Sequence, residues 1–212
     1  MYTHIFFDLD GTVTDPYVGI TNCVKFSLEH FGIASENEEL KAFIGPPLKD
    51  SYMKYYGMSE EKALEAVAWY RKRYSTVGIF ECELYEGMRI LLEKLSEKYT
   101  LVLATSKPEP YAENILEHFE IKKYFTHVVG ATFDEKLSDK TGVIRAALEK
   151  SGASPEMSIM IGDRVFDTEG AVANSMKALG VLYGYGNESE HEKALAVVKD
   201  VKGLAEFFGV EI

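Results

Sequence analysis

Four short segments carry residue types that can do chemistry together. Asp8-Leu9-Asp10-Gly11-Thr12 sets two carboxylates two residues apart, directly after the apolar run Ile5-Phe6-Phe7. In extended backbone residues i and i+2 point the same way, so both acids face one site at a strand's C-terminal end. Gly11 lets the backbone turn there and come close to a ligand. Nine Asp among 212 residues give roughly 0.4 chance Asp-x-Asp pairs, but requiring Gly and then Thr lowers that to roughly 0.002. The segment is therefore a signal, and two like charges beside an apolar strand need a cation or a proton to compensate them. Gly162-Asp163-Arg164-Val165-Phe166-Asp167 follows the apolar run Ser158–Ile161, with Asp163 at the strand end and Asp167 one helical turn later. Thr105-Ser106-Lys107-Pro108 places two hydroxyls at a strand-to-helix corner, where Pro108 suits the first helical turn and unpaired N–H groups favour an oxyanion. Ser138-Asp139-Lys140-Thr141 opens a helix with a lysine in its first turn, against the helix dipole unless an anionic ligand lies near.

The elements that must hold these residues are legible in the apolar runs. Ile5-Phe6-Phe7, Leu101–Ala104, His127–Val129, Ser158–Ile161 and Leu179–Leu182 are short, continuous and apolar, as strands buried on both faces are. Amphipathic stretches lie between them: Met88, Leu91, Leu92 and Leu95 share one helical face, as do Val143, Ile144, Ala147 and Leu148. Alternation of strand and helix from about residue 83 onward predicts an α/β doubly wound parallel sheet. Residues 14–82 break the rhythm, with helical patterns and no convincing strand. Ile20, Val24, Leu28 and Phe31 form one set, and Ala63, Val67, Tyr70 and Tyr74 another behind the N-cap candidate Ser59, while Gly45-Pro46-Pro47 forbids helix in the middle. The expected organisation is an α/β core of residues 1–13 and 83–212 with a small all-helical domain, 14–82, inserted after the first strand.

All four segments sit where ligands bind in open α/β sheets, at the carboxyl ends of strands. Three or four carboxylates, a lysine and a pair of hydroxyls would converge there. Hard oxygen donors without a nearby histidine or thiolate suit Mg²⁺ rather than Zn²⁺ or Cu²⁺. With 23 Lys and Arg against 34 Asp and Glu, the net charge of −11 disfavours nucleic acid polymers and anionic membranes, and no basic run offsets it. Mg²⁺ and Lys140 would supply the local positive charge for a small anionic substrate. Cys23 and Cys82 make neither a disulfide framework nor a metal spacing. The absence of a basic and apolar leader in Met1–Ile5, and of any uncharged run long enough to span a bilayer, gives a cytoplasmic expectation.

Taken together, the four segments resemble the motifs of the haloacid dehalogenase superfamily, in its phosphatase branch. Asp8–Thr12 matches the first motif, Thr105 the second, Lys140 the third, and Gly162-Asp163 through Asp167 the fourth, over nearly the whole chain. The helical insertion lies where that superfamily carries its C1 cap. Within the branch the chain resembles phosphoglycolate phosphatases, and Phe43–Leu48 with Gly180–Gly186 resembles a bacterial 5′-nucleotidase-like subgroup; Thr141 stands where phosphoglycolate phosphatases usually have Pro. The resemblance implies Asp8 as nucleophile forming an aspartyl-phosphate and Asp10 as general acid and base. It implies Mg²⁺ held by Asp8, the Asp10 carbonyl and Asp163, with Asp167 as a partner or further ligand. Thr105, the Ser106 backbone and Lys140 would grip the phosphoryl oxygens. It further implies a cap that closes over the site, with Lys49, Tyr52 and the Gly45–Pro47 loop as candidate specificity contacts. A small phosphorylated metabolite is the expected partner, with the protein a monomer or homodimer. A sugar phosphomutase of the same fold, resembling β-phosphoglucomutase, and a phospho-Asp receiver module are the rival readings. The receiver disagrees with the position of the first acid and with the insertion.

Overall fold

The computed structural model describes residues 2–134 and 136–212. Each of the five apolar runs is a strand: β1 (His4–Phe7), β4 (Thr100–Pro108), β5 (Phe125–Ala131), β6 (Ser158–Gly162) and β7 (Lys177–Val181). With β8 (Ala196–Val198) they form one six-stranded sheet in the order β5-β4-β1-β6-β7-β8, every neighbouring pair parallel. The first strand of the chain is thus an interior one, with Phe7 opposite Leu103 on one side and Ile161 on the other. The helices between strands are α4 (Met88–Ser96), α5 (Glu109–His118), α6 (Lys140–Ser151) and α7 (Val165–Ala173), and α8 (Val201–Phe208) follows the last strand.

Alternation along the strands sorts the core. Phe6, Val102, Ala104 and Met160 meet Val143, Ile144, Ala147 and Leu148 of α6 and Ala171 of α7, all buried. Met88, Leu91, Leu92 and Leu95 are completely buried along one face of α4, as their spacing predicts. With both faces covered, the strands carry no polar face of their own, so polar groups can gather only at their ends.

Two compact units divide the chain: Met1–Asp15 with Leu84–Ile212, and Pro16–Glu83. The second is built from α1 (Tyr17–His30), α2 (Leu48–Tyr56) and α3 (Glu60–Tyr74). Ile20, Val24 and Leu28 are buried on α1, and Ala63, Val67, Tyr70 and Tyr74 on α3, whose N-cap Ser59 accepts a hydrogen bond from Lys62 N–H at 3.4 Å. Phe31, expected to continue the α1 face, caps the helix instead. Two short strands were not expected, β2 (Thr14–Asp15) and β3 (Glu83–Leu84), which form a separate two-stranded sheet. Tyr52 is fully buried, its hydroxyl bonded to Ser27 and its ring edge-on to Phe43 at 4.9 Å, which makes it a core residue of this unit.

Candidate active site

The turn after β1 is fixed by its own backbone. Asp8 N–H still bonds Ile161 O at 2.9 Å, whereas Val13 and Thr14 N–H both return to Leu9 O. Gly11 sits at φ +82°, and a Cβ there would lie 2.3 Å from Asp163 Oδ2, so glycine serves both the turn and the approach of the two loops. At Gly162 only close approach applies, since a Cβ there would lie 2.1 Å from the Asp167 carboxyl carbon.

Asp8, Asp163 and Asp167 are all buried, and each offers an oxygen within 4.8 Å of the others'. Lys140, the first residue of α6 and itself buried, reaches Asp8 Oδ1 at 2.7 Å and Asp167 Oδ1 at 2.9 Å and donates to Ala104 O at 3.3 Å. Asp139 caps that helix by accepting from Gly142 N–H at 2.9 Å, which fixes where the lysine starts. Asp167 Oδ2 accepts from Arg164 N–H at 3.0 Å at the start of α7. Asp163 Oδ2 accepts from Tyr185 N–H at 2.8 Å, and Oδ1 from Thr12 Oγ1 at 3.5 Å.

Two of the three buried carboxylates, Asp8 and Asp167, share the Lys140 ammonium, and the crowding shows in the proton affinities of Asp163 and Asp167. Asp163 is pushed up to about 8 by burial, then by the charges of Asp167 and Asp8. Burial also raises Asp167, to about 6, against the pull of Lys140. Burial alone would lower Lys140, but Asp167 and Asp8 outweigh it and hold the ammonium charged. The trio therefore lacks positive charge, and its donors are all hard oxygens, as a divalent Mg²⁺ site requires.

Thr105 is buried on β4 and Ser106 partly so. Helix α5 begins only at Glu109, with Pro108 at its N-cap rather than in its first turn, so the hydroxyls belong to the strand end and not to the helix. A lysine that the spacing did not single out lies beside them. Lys107 Nζ pairs with Asp10 Oδ2 at 2.7 Å, the two side chains 5% and 15% exposed. Burial raises the Asp10 carboxyl, and Lys107 opposes that rise. The Asp10 carboxylate thus lies outside the trio, engaged with its own lysine. Of the candidate specificity residues, Lys49 pairs with Glu60 at 3.1 Å.

A family model described as haloacid dehalogenase-like hydrolase matches residues 5–181. A 5′-nucleotidase of Pseudomonas aeruginosa is 42% identical over 191 residues, 89% of this chain and 86% of that protein. The tyrosine-protein kinase PtkA of Mycobacterium tuberculosis is 36% identical over 196 residues, 92% of this chain and 67% of that one. The crystal structure of a predicted phosphatase from Clostridium acetobutylicum superposes with a TM-score of 0.94 at 42% identity, covering 98% of both chains.

Proposed function

The chain belongs to the haloacid dehalogenase-like hydrolase family and is a phosphatase of that family, and on this premise we propose a Mg²⁺-dependent phosphomonoesterase acting on nucleoside 5′-monophosphates through an aspartyl-phosphate. The observation that carries the reading is the single lysine, Lys140, drawing Asp8 and Asp167 together beside Asp163. A freely solvated nucleophile would need no such partner. An Asp8 oxygen attacks phosphorus while the bond to the leaving oxygen breaks and Asp10 gives that oxygen its carboxyl proton. Asp10 then takes a proton from water, whose oxygen displaces the Asp8 carboxylate and releases inorganic phosphate. Lys140, the Thr105 hydroxyl and the Ser106 N–H stabilise the charge that spreads over the phosphoryl oxygens. Asp8, Asp163 and the Asp10 carbonyl would hold Mg²⁺, with Asp167 beside them; when bound it offsets the like charges of the acids and of the phosphoryl group.

The choice of substrate rests on the 5′-nucleotidase name of the 42%-identical relative. Steady-state phosphate release from nucleoside 5′-monophosphates, phosphoglycolate and hexose phosphates, each with Mg²⁺ and with EDTA, tests it. The expected result is highest kcat/KM on a nucleotide, lost with EDTA and in Asp8→Asn. Preference for phosphoglycolate would overturn the substrate class. Isomerised hexose phosphate in place of free phosphate would make the protein a phosphomutase. Full turnover by Asp8→Asn would end the nucleophile assignment.

A further inference from the structure

Resting on that reading, we propose that Lys107 is a positioning residue: it anchors Oδ2 of Asp10 so that Oδ1 is the oxygen that exchanges the proton with the leaving group. Three observations carry this. Lys107 Nζ lies 2.7 Å from Asp10 Oδ2, and the Lys107 side chain is 5% exposed, so the pair is held away from bulk water. Asp10 Oδ1 is buried and has no hydrogen-bond partner among the described residues. A buried carboxylate oxygen without a donor is costly, and a site built to protonate an incoming oxygen has reason to keep one. Third, strand β4 breaks its register against β5 between Thr105 and Pro108, and Lys107 N–H donates to Thr105 Oγ1 at 3.2 Å. Such an irregularity re-aims the side chains within it, here turning a lysine near the end of β4 onto the acid in the turn after β1.

The two lysines divide three of the four acids between them. Lys140 reaches Asp8 and Asp167, the nucleophile and its neighbour, whereas Lys107 takes Asp10. Without Lys107 nothing in the described ion pairs fixes which way the Asp10 carboxyl faces, and proton delivery loses its geometry while Asp8 keeps its own.

The dependence on leaving group tests this. 4-Nitrophenolate departs as a stable anion and needs little protonation, whereas a nucleoside 5′-oxygen needs a full proton. The quantity kcat/KM reports steps through departure of that group, before water attacks. In Lys107→Met with Mg²⁺, kcat/KM is expected to fall about 100-fold on uridine 5′-monophosphate and by well under a tenth of that factor on 4-nitrophenyl phosphate, since general acid catalysis is worth 10²-fold or more. Asp10→Asn should show the same discrimination, and Lys107→Arg should restore part of the loss. Asp10→Asn/Lys107→Met orphans no buried charge and so guards against misfolding of the single variant; it should match Asp10→Asn within about twofold, as residues acting as a unit do. An additional tenfold loss in the double variant, or equal losses on both esters in Lys107→Met, would overturn the role of Lys107 and leave the phosphatase reading standing. No turnover by the unmodified protein on either ester would overturn both.

Discussion

Lys140 answers two buried carboxylates with one ammonium, so its loss acts on the fold and on the chemistry together. Lys140→Ala is expected to lose at least two decades of kcat/KM on the best substrate, because a charge contact made in the transition state is worth several kcal/mol. It should also unfold at a lower temperature, since removing one member of a buried ionic cluster costs about 3–5 kcal/mol. A loss under threefold in kcat/KM would return Lys140 to a purely structural role. Asp8 and Asp163 were legible because each follows an apolar run, where a charge makes no sense without a partner, and Asp167 and Lys140 because each stands in the first turn of a helix that follows a strand. Lys107 was not legible. A lysine just before a proline reads as a solvated charge, and its pairing with Asp10 is set by the neighbouring of β4 and β1, which no local pattern encodes. Tyr52 failed for the opposite reason: periodicity cannot say whether a tyrosine faces outward, and this one is buried against Ser27.

At the scale of elements, the loop after β7 is the clamp on Asp163. A Cβ on Gly184 would lie 2.3 Å from Gly11 O and 2.5 Å from the Asp163 side chain, and one on Gly186 would lie 1.8 Å from Asp163 O. Between these two glycines Tyr185 N–H reaches Asp163 Oδ2. Gly184→Ala is therefore expected to weaken Mg²⁺ binding at least tenfold by titration calorimetry, because moving the group that orients a metal ligand typically costs 10–100-fold. Tyr185→Phe retains the N–H and should bind Mg²⁺ as the unmodified protein does; a Gly184→Ala affinity within twofold of the parent's would contradict the clamp. The glycines were visible in the sequence as Gly180–Gly186, but their purpose was not, since only the approach of a second loop gives it. The five longest strands were readable from continuous apolar runs, whereas β8 is three half-buried residues and β2 only two, too short for any periodicity to register.

For the molecule as a whole, the acids set how stability answers pH. Asp163 titrates in the folded protein near 8 and Asp167 near 6, against about 4 in an unfolded chain. Folding therefore takes up protons between those values, so this contribution is most favourable at acidic pH and is lost as pH rises through about 6 to 8. In EDTA the thermal midpoint should fall from pH 6 to pH 8. With millimolar Mg²⁺ the fall should shrink, because the ion competes with those protons. The gap between the two curves should be several degrees wider at pH 8 than at pH 6, as about 2 kcal/mol implies for a chain of this size. A gap independent of pH would mean that the trio does not bind the ion. The sheet order has a consequence in time as well. β1 lies between β4 and β6, whose pairing partners Leu103 and Ile161 come far later in the chain. On the ribosome, where residues emerge at about 5–20 per second, Asp8 waits several seconds or more for Lys140 and Asp167 to follow. The locally connected helices of Pro16–Glu83 can form meanwhile, since short-range contacts close fastest. The growing polypeptide thus cannot assemble its acid trio until the segment beyond its sixth strand has emerged, a built-in delay between synthesis and first turnover.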